Sequence, residues 1–570
     1  MIEKRWIHKP GLTPDQQHTS KELSLALNID THLTTLLVHR GISDFETSRN
    51  FFRPDISQLH DPFLMKDMHA AVARLTDAIS KGEKILVYGD YDVDGATSVT
   101  LFYGFLSKIY PNLDYYIPDR YIEGYGVSWQ SIDWAHEHGF SLIVTLDCGI
   151  KSLDKVQAAK ERGIDFIICD HHRPGDELPE AVAVLDPKRI DCPYPYKELT
   201  GCGVGFKLLQ AFCASNHLDT APLFAYLDLL VISIAADIVP ITGENRILAF
   251  YGLRCLNTSP RTGVKALIEI AGITGVIDIT NVVFGLSPRI NAAGRIKHAK
   301  EAVKLLLSEA EEEARDFALE INKHNIDRRT FDSNITLEAL SMIENDAWFE
   351  QAKSTVLYKE DWHKGVIGIV ASRCIEHYHR PTIILTKSQG KATGSARSIP
   401  GFDVYEAIEA CADLLEQYGG HTFAAGLTMP VENVQAFRVR FNDIVGSRMA
   451  PEQMNPVIHV DMALELGEIN AKFYNILRQM GPFGPGNMIP LFESRNVSLS
   501  GNPVIMKEKH LKFDVKQNGS QPFTAIGFGM SQFYPDLVNG RPFSICYHLE
   551  ENNFRDKKTL QLFLKDLKFH

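Results

Sequence analysis

The chain is poor in the features that would stitch or anchor it. Its 9 cysteines are an odd number and no two are spaced Cys-x-x-Cys, so neither a disulfide framework nor a cysteine-based structural zinc site is suggested, and a reducing cytoplasm fits. No apolar run approaches about twenty residues, and Met1 to Pro10 lacks the apolar stretch of a signal peptide, so a soluble protein is expected. Positive charge is also scarce: 59 lysines and arginines against 71 aspartates and glutamates leave a net charge of -12. That deficit speaks against nucleic acid as a partner but excludes little, because carboxylates that bind cations add to it and a local basic channel can coexist with an acidic whole.

What remains is a chain of 570 residues with 45% apolar content, enough for two to four domains. Lys84 to Tyr88, Leu113 to Ile117, Leu142 to Leu146, Asp165 to Cys169 and Ala181 to Leu185 are short β-branched and apolar runs separated by helix-length segments. That rhythm predicts parallel strands with helical crossovers. From Lys300 to Glu344 the proline-free, charged sequence predicts one or two long helices, with the acidic run Glu309 to Glu313 as a solvated face. A second α/β segment follows, with strands at Thr355 to Tyr358 and Thr382 to Thr386 and a helix from Gly365 to Glu376. Beyond Pro451, alternating stretches with Gly and Pro turns predict a small β-barrel that closes in a lysine-rich Arg555 to Lys568. Ser43 to Phe51 reads as a small helix without an assigned role.

Polar signatures stand directly after the strands, where ligands of open α/β sheets bind. The first is Asp90-Tyr91-Asp92-Val93-Asp94-Gly95, whose alternate aspartates can converge on one cation. A calcium loop of the D-x-D-x-D-G type would need a glutamate at its twelfth position and a helix in front, whereas Leu101 stands there and a strand precedes. The second is Asp147 at the end of a buried strand, the third Asp170-His171-His172, and the fourth Asp237 at the end of the very apolar Leu227 to Ala236. Each has a bland rival: a turn residue for Asp147, a satisfied polar turn for the histidines, a paired carboxylate for Asp237. Mixed carboxylate and imidazole ligation suits manganese or magnesium, and a pair of such ions activates water and stabilises a leaving oxygen.

In this order the motifs resemble the DHH phosphoesterase superfamily, and the later ones narrow the likeness to its RecJ single-strand exonucleases, over nearly the whole chain from Lys84. The resemblance implies two α/β lobes, DHH and DHHA1, joined by long helix and followed by an OB-like barrel. The expected division is 1–335 for the DHH domain with its N-terminal extension and connecting helix, 340–449 for DHHA1 and 451–570 for the barrel. It also implies Asp90, Asp92, Asp94, Asp147, His171 and Asp237 as ligands of two Mn2+ or Mg2+ ions. His172 then handles the reacting phosphate or a proton, and Asp170 orients the histidines.

The remaining motifs match the phosphate- and strand-gripping parts of the family. Arg120 suits a 5′ phosphate and Tyr125 a stacked base, while Arg289 and Asn291 of Ser287-Pro288-Arg289-Ile290-Asn291 would touch the strand. The bland reading of that last stretch is a helix-entry loop with an arginine ion pair. In the second lobe His363, Ser395, Arg397 and His421 are the matching donors, with Arg397 and His421 offsetting charge as it develops. Two departures stand out. Ala396 replaces the family's glycine, which would strain a loop needing positive φ, and Met488 replaces a proline after Gly481 to Asn487. Lys507, Lys509, Lys512 and Lys516, with Phe513 and Phe528, suggest a single-strand track on the barrel, although such phenylalanines are more often barrel core.

The activity so implied is processive 5′-to-3′ removal of 5′-mononucleotides from single-stranded DNA in repair and recombination, by a cytoplasmic monomer, with a helicase and a single-strand-binding protein as candidate partners. Two other readings compete. One is a phosphodiesterase acting on cyclic dinucleotides, short RNA or pyrophosphate, which the barrel argues against. The other is a non-catalytic single-strand-binding replication factor, which the complete ligand set argues against.

Overall fold

The computed structural model describes residues 3–554 and 557–570; Arg555, the first residue of the lysine-rich closing stretch, lies outside them. Contacts divide the chain into two units, residues 55–453 and residues 1–54 together with 454–570. No helix among the described residues is long and apolar enough to cross a membrane.

The larger unit begins with a five-stranded parallel sheet: β1 (Ile85–Gly89), β2 (Leu113–Tyr116), β3 (Leu142–Leu146), β4 (Asp165–Cys169) and β5 (Ala183–Leu185). Its order is β2-β1-β3-β4-β5, so the direction of winding reverses between β1 and β3. Crossover helices cover both faces, which is why β1 and β3 are buried at every position and read as unbroken apolar runs. The reversal opens a crevice at the strands' carboxyl ends, and the aspartate motifs stand there.

Four helices frame that crevice: α1 (Val93–Leu106), α2 (Gly201–Ser215), α3 (Leu227–Ala236) and α4 (Ser287–Ile296). The stretch from Ser287 to Arg295 is therefore helix rather than a loop at a helix entry, and it follows a π-helical turn at Val282–Leu286. After α5 (Lys300–Leu307) comes α6 (Glu311–Glu344), 34 residues and about 50 Å long. Glu311, Glu312 and Glu313 occupy its first turn, where carboxylates offset the positive end of the helix dipole.

Helix α6 leads into the second lobe, built on β6 (Thr355–Tyr358), α7 (Ile367–Tyr378), β7 (Thr382–Ser388), β8 (Lys391–Arg397), β9 (Gln417–His421) and β10 (Ala424–Met429) in sheet order β9-β10-β8-β7-β6. The glycine-containing stretch before Ser398 is strand β8, not a loop. Ala396 has no left-handed backbone, and its methyl group is buried in the lobe's core, so the departure from glycine carries no strain. The lobe is fastened to α6 by the buried Asp332, which accepts two 2.8 Å bonds from Arg373 of α7.

In the smaller unit, strand Phe492–Met506 pairs with both His510–Lys516 and Phe543–Phe554, closing the sheet into a ring through Phe523–Gly527 and Lys557–Phe569. Residues 1–54 belong to this unit: Arg5–His8 pairs in parallel with Val457–Val460, and Arg40 donates to Asn487 Oδ1 and the Met488 carbonyl. Asn487 in turn donates to the carbonyls of Met480 and Pro482. Since the bond at position 488 is made by the backbone carbonyl, methionine serves there as well as proline. The two phenylalanines part ways: Phe513 is core, whereas Phe528 is 55% exposed beside His510 and Phe563.

Candidate metal centre and phosphate pocket

Asp90, Asp94, Asp147 and His171 are all buried at the carboxyl ends of β1, β3 and β4, and Asp237 caps α3 beside them. His171 Nε2 lies 3.1 Å from Asp147 Oδ1, 3.6 Å from Asp237 Oδ2 and 3.7 Å from Asp94 Oδ2. Two groups of potential ligand atoms share His171: one with Asp147 and His172, the other with Asp94 and Asp237. Asp92 is the N-cap of α1 and accepts the Gly95 N–H at 3.0 Å.

Asp94 is the best anchored. It accepts N–H bonds from Gly201 at 2.7 Å and Cys202 at 3.0 Å, and the Ser233 hydroxyl at 2.7 Å. The two N–H donors are in the first turn of α2, whose dipole favours an anion, and the hydroxyl comes from α3. Gly201 is required there, because a Cβ would fall 2.5 Å from the Asp147 Cα. Asp147 (φ 60°) and Ile238 (φ 59°), the residue after Asp237, both adopt left-handed backbone. For a β-branched residue this is strained, and such strain gathers where a side chain must be aimed.

Charge crowding is severe. Burial, and then the neighbouring Asp92, push the Asp90 carboxyl well above its ordinary range; burial followed by Asp94 does the same to Asp147 and lifts Asp237 to about 8. Asp90 Oδ2 and Asp147 Oδ2 are buried without a hydrogen-bond partner. Orphaned carboxylate oxygens facing other carboxylates are costly unless a cation lies between them, so these residues fit a divalent metal.

Asp170 does not face that cluster. It accepts the N–H groups of Ile150, His171 and His172 and lies 2.8 Å from His172 Nδ1. Burial opposes its charge, but these bonds win and hold the carboxyl below the usual range. Burial likewise opposes charge on His172, yet the Asp170 bond prevails and raises the imidazole to about 9. The other ring nitrogen of His172, Nε2, is 2.9 Å from the Tyr125 hydroxyl.

Next to the acidic cluster is a basic pocket between the two lobes, with a volume of about 250 Å³, lined by Tyr91, Arg120, Arg295, Lys364, Ser395 and Arg397 among others. The Arg120 guanidinium rests 4.7 Å over the Tyr91 ring, and Tyr91 sits between Asp90 and Asp92. Burial first, and then Arg120, lowers the pKa of Arg295 to about 10 and depresses Arg397 as well. A Cβ on Gly368 would lie 2.8 Å from both Ser395 Oγ and Arg397 Nη2, so glycine lets the start of α7 close on these donors. Clustered, partly desolvated arginines beside a helix start are suited to a phosphate.

The chain is similar to known proteins along nearly its whole length. Family models match at 84–234 (DHH family, N-terminal domain), 351–447 (DHHA1 domain) and 460–566 (RecJ OB domain). The single-stranded-DNA-specific exonuclease RecJ of Bacillus subtilis is 39% identical over 97% of this chain and 70% of its own length. The chain belongs to the RecJ family. The Escherichia coli RecJ is 34% identical over 88% of this chain and 90% of its own. A crystal structure of Thermus thermophilus RecJ in complex with Mn2+ superposes with a TM-score of 0.84 at 28% identity, covering 99% of this chain and 79% of that one. A second structure of that protein contains Mg2+.

Against this RecJ background the other candidate residues are spread out. Arg289 donates to Asn322 Oδ1 and the Gly285 carbonyl, which ties α4 to α6, and Asn291 lies half-buried one residue beyond Ile290. His363 stacks on Phe331 of α6 at 5.0 Å. His421 ends β9, exposed, with Nδ1 accepting the Phe423 N–H, and is not among the residues lining the arginine pocket. Sequence reasoning missed Tyr91, Arg295 and the Gly201–Cys202 cradle. The signals were present, since Tyr91 lies inside the first motif and Arg295 ends a motif already singled out.

Proposed function

We propose that this chain is a divalent-metal-dependent exonuclease that degrades single-stranded DNA from its 5′ end to 5′-mononucleotides. One observation carries the reading: His171 meets Asp94, Asp147 and Asp237, with orphaned buried oxygens on Asp90 and Asp147, beside a pocket of three arginines from both lobes. Asp90, Asp92, Asp94, Asp147, His171 and Asp237 would hold manganese or magnesium, which supplies a Lewis acid for phosphoryl oxygen and lowers the pKa of water.

The chain's own groups do the rest. Arg120, Arg295 and Arg397 neutralise phosphate, with Ser395 adding a hydroxyl. His172, held by Asp170 and Tyr125 and with its pKa raised to about 9, presents a protonated Nε2 that can donate to an oxygen of the reacting phosphate. Arg289, Asn291, His363 and His421 serve the strand farther along. Lys512, Lys516 and the exposed Phe528 of the barrel give backbone and base contacts of the kind single strands use. The setting is a cytoplasmic monomer in DNA repair and recombination that receives its substrate from a helicase and a single-strand-binding protein.

The test is digestion, with manganese, of a 5′-labelled single strand alongside duplex DNA, a cyclic dinucleotide and pyrophosphate. Labelled mononucleotide from the single strand alone is expected. Turnover confined to a small molecule, or binding without turnover, refutes the reading.

A further inference from the structure

A second group of ligand-type side chains lies away from the acidic cluster, where α5 meets the first half of α6. Glu301 of α5 and Glu320 and His324 of α6 have ligand atoms within 4.8 Å of one another. Residues 320 and 324 are one helical turn apart and share a face. His324 is only 5% exposed, and neither of its ring nitrogens has a hydrogen-bond partner; Glu301 Oε2 is likewise buried and unpartnered. A buried imidazole with both nitrogens idle is costly, and this one points Nε2 at carboxylates: 3.4 Å to Glu301 Oε2 and 3.9 Å to Glu320 Oε1.

We propose that Glu301, Glu320 and His324 form a second divalent-metal site, selective for a borderline transition ion, zinc above all, and structural rather than catalytic. Ligands on a tetrahedral zinc stand roughly 3.3 Å apart, given bonds of about 2.0 to 2.2 Å. The His324–Glu301 distance of 3.4 Å matches that edge, and Glu320 has to close by a few tenths of an ångström. One imidazole and two carboxylates leave a fourth position for water.

The competing cation is Lys297, which stands 2.7 Å from Glu320 and 3.7 Å from Glu301 and balances part of their charge. Its side chain is 51% exposed and free to swing into solvent, whereas His324 cannot move without emptying a buried position. A metal therefore displaces the lysine and satisfies the histidine. The imidazole sets the preference, because zinc binds nitrogen far more tightly than magnesium does and more tightly than manganese.

Such an ion would pin α5 to α6, the helix that carries the second lobe and grips it through Asp332 and Arg373. The site thereby fixes the near end of the connector while the ion pair holds the far end.

The experiment compares the full-length wild type with His324→Gln and Glu320→Gln, each equilibrated with micromolar zinc in excess magnesium, then desalted and analysed for zinc by mass spectrometry and for melting temperature. Glu320 is partly exposed, so its variant keeps the test valid if the buried change disturbs folding, and circular dichroism checks both. The expected result is one zinc equivalent fewer per chain in each variant, and a zinc-induced rise in melting temperature that is several degrees larger in the wild type than in either variant. Equal zinc content and equal thermal shifts in all three overturn the proposal.

Discussion

The Tyr125 hydroxyl lies 2.9 Å from Nε2 of His172, whose Nδ1 is held 2.8 Å from Asp170. Tyr125 therefore positions the imidazole by its oxygen, while its ring, 54% exposed, remains open to a base. The two roles separate in Tyr125→Phe, which keeps the ring and loses the hydroxyl. A hydrogen bond of this kind contributes about 1 kcal/mol, so kcat should fall roughly fivefold with little change in KM. An unchanged kcat would leave only the stacking role.

Asp92 both caps α1 and faces the cluster, so removing it by alanine confounds two effects. Asparagine caps as well as aspartate does, whereas loss of a cap to alanine costs about 1 kcal/mol. Asp92→Asn should abolish hydrolysis with the melting temperature and single-strand binding kept, and Asp92→Ala should abolish it with a slightly lower melting temperature. Cleavage retained in either variant means that Asp92 is not a ligand.

Arg120 is the pocket arginine that rests on Tyr91, close to the reacting centre. Charge-assisted bonds to a terminal phosphate contribute about 1 to 3 kcal/mol. Arg120→Ala should lose that much of the preference for a 5′-phosphorylated over a 5′-hydroxyl strand, read as the ratio of kcat/KM values. Equal losses on both ends exclude the role.

Asp237 has a pKa raised to about 8 by burial and by Asp94, so near neutral pH it holds a proton that a metal must displace. A raised carboxylate binds its proton more tightly folded than unfolded. Its contribution to metal-free stability is present below the ordinary carboxylate range and is lost as pH rises toward 8. Manganese should therefore raise the melting temperature more at pH 8 than at pH 5. Calorimetric titration at pH 7 in buffers of different ionisation enthalpy should show proton release, and Asp237→Asn should reduce it. Release that is the same in that variant and the wild type would contradict the assignment.

How far the sequence reveals this arrangement depends on the range of the contacts. Strand-end aspartates and the paired histidines are local patterns, and β1, β3 and β4 fall where the apolar runs put them. The cradle of Asp94 is not local: Gly201 and Ser233 lie 107 and 139 residues away and look like an ordinary helix start and a core serine. Glycine in Gly394 to Ser398 suggests a loop, yet Ala392, Gly394 and Ala396 are buried while Lys391, Thr393, Ser395 and Arg397 are not, which is the two-residue period of a strand. Packing of residues 1–54 with the barrel rests on Leu33, Leu36, Leu37 and Ile42 sharing its core and on the pairing of Arg5–His8 with Val457–Val460, long-range contacts that no local pattern announces.

The claim that scattered aspartates share cations with His171 is tested most directly by titrating Mn2+ into the wild type and Asp147→Asn and counting bound ions. Two ions per chain in the wild type, and loss or at least tenfold weakening of one in the variant, is the predicted result. Identical stoichiometry and affinity in the two chains would contradict it.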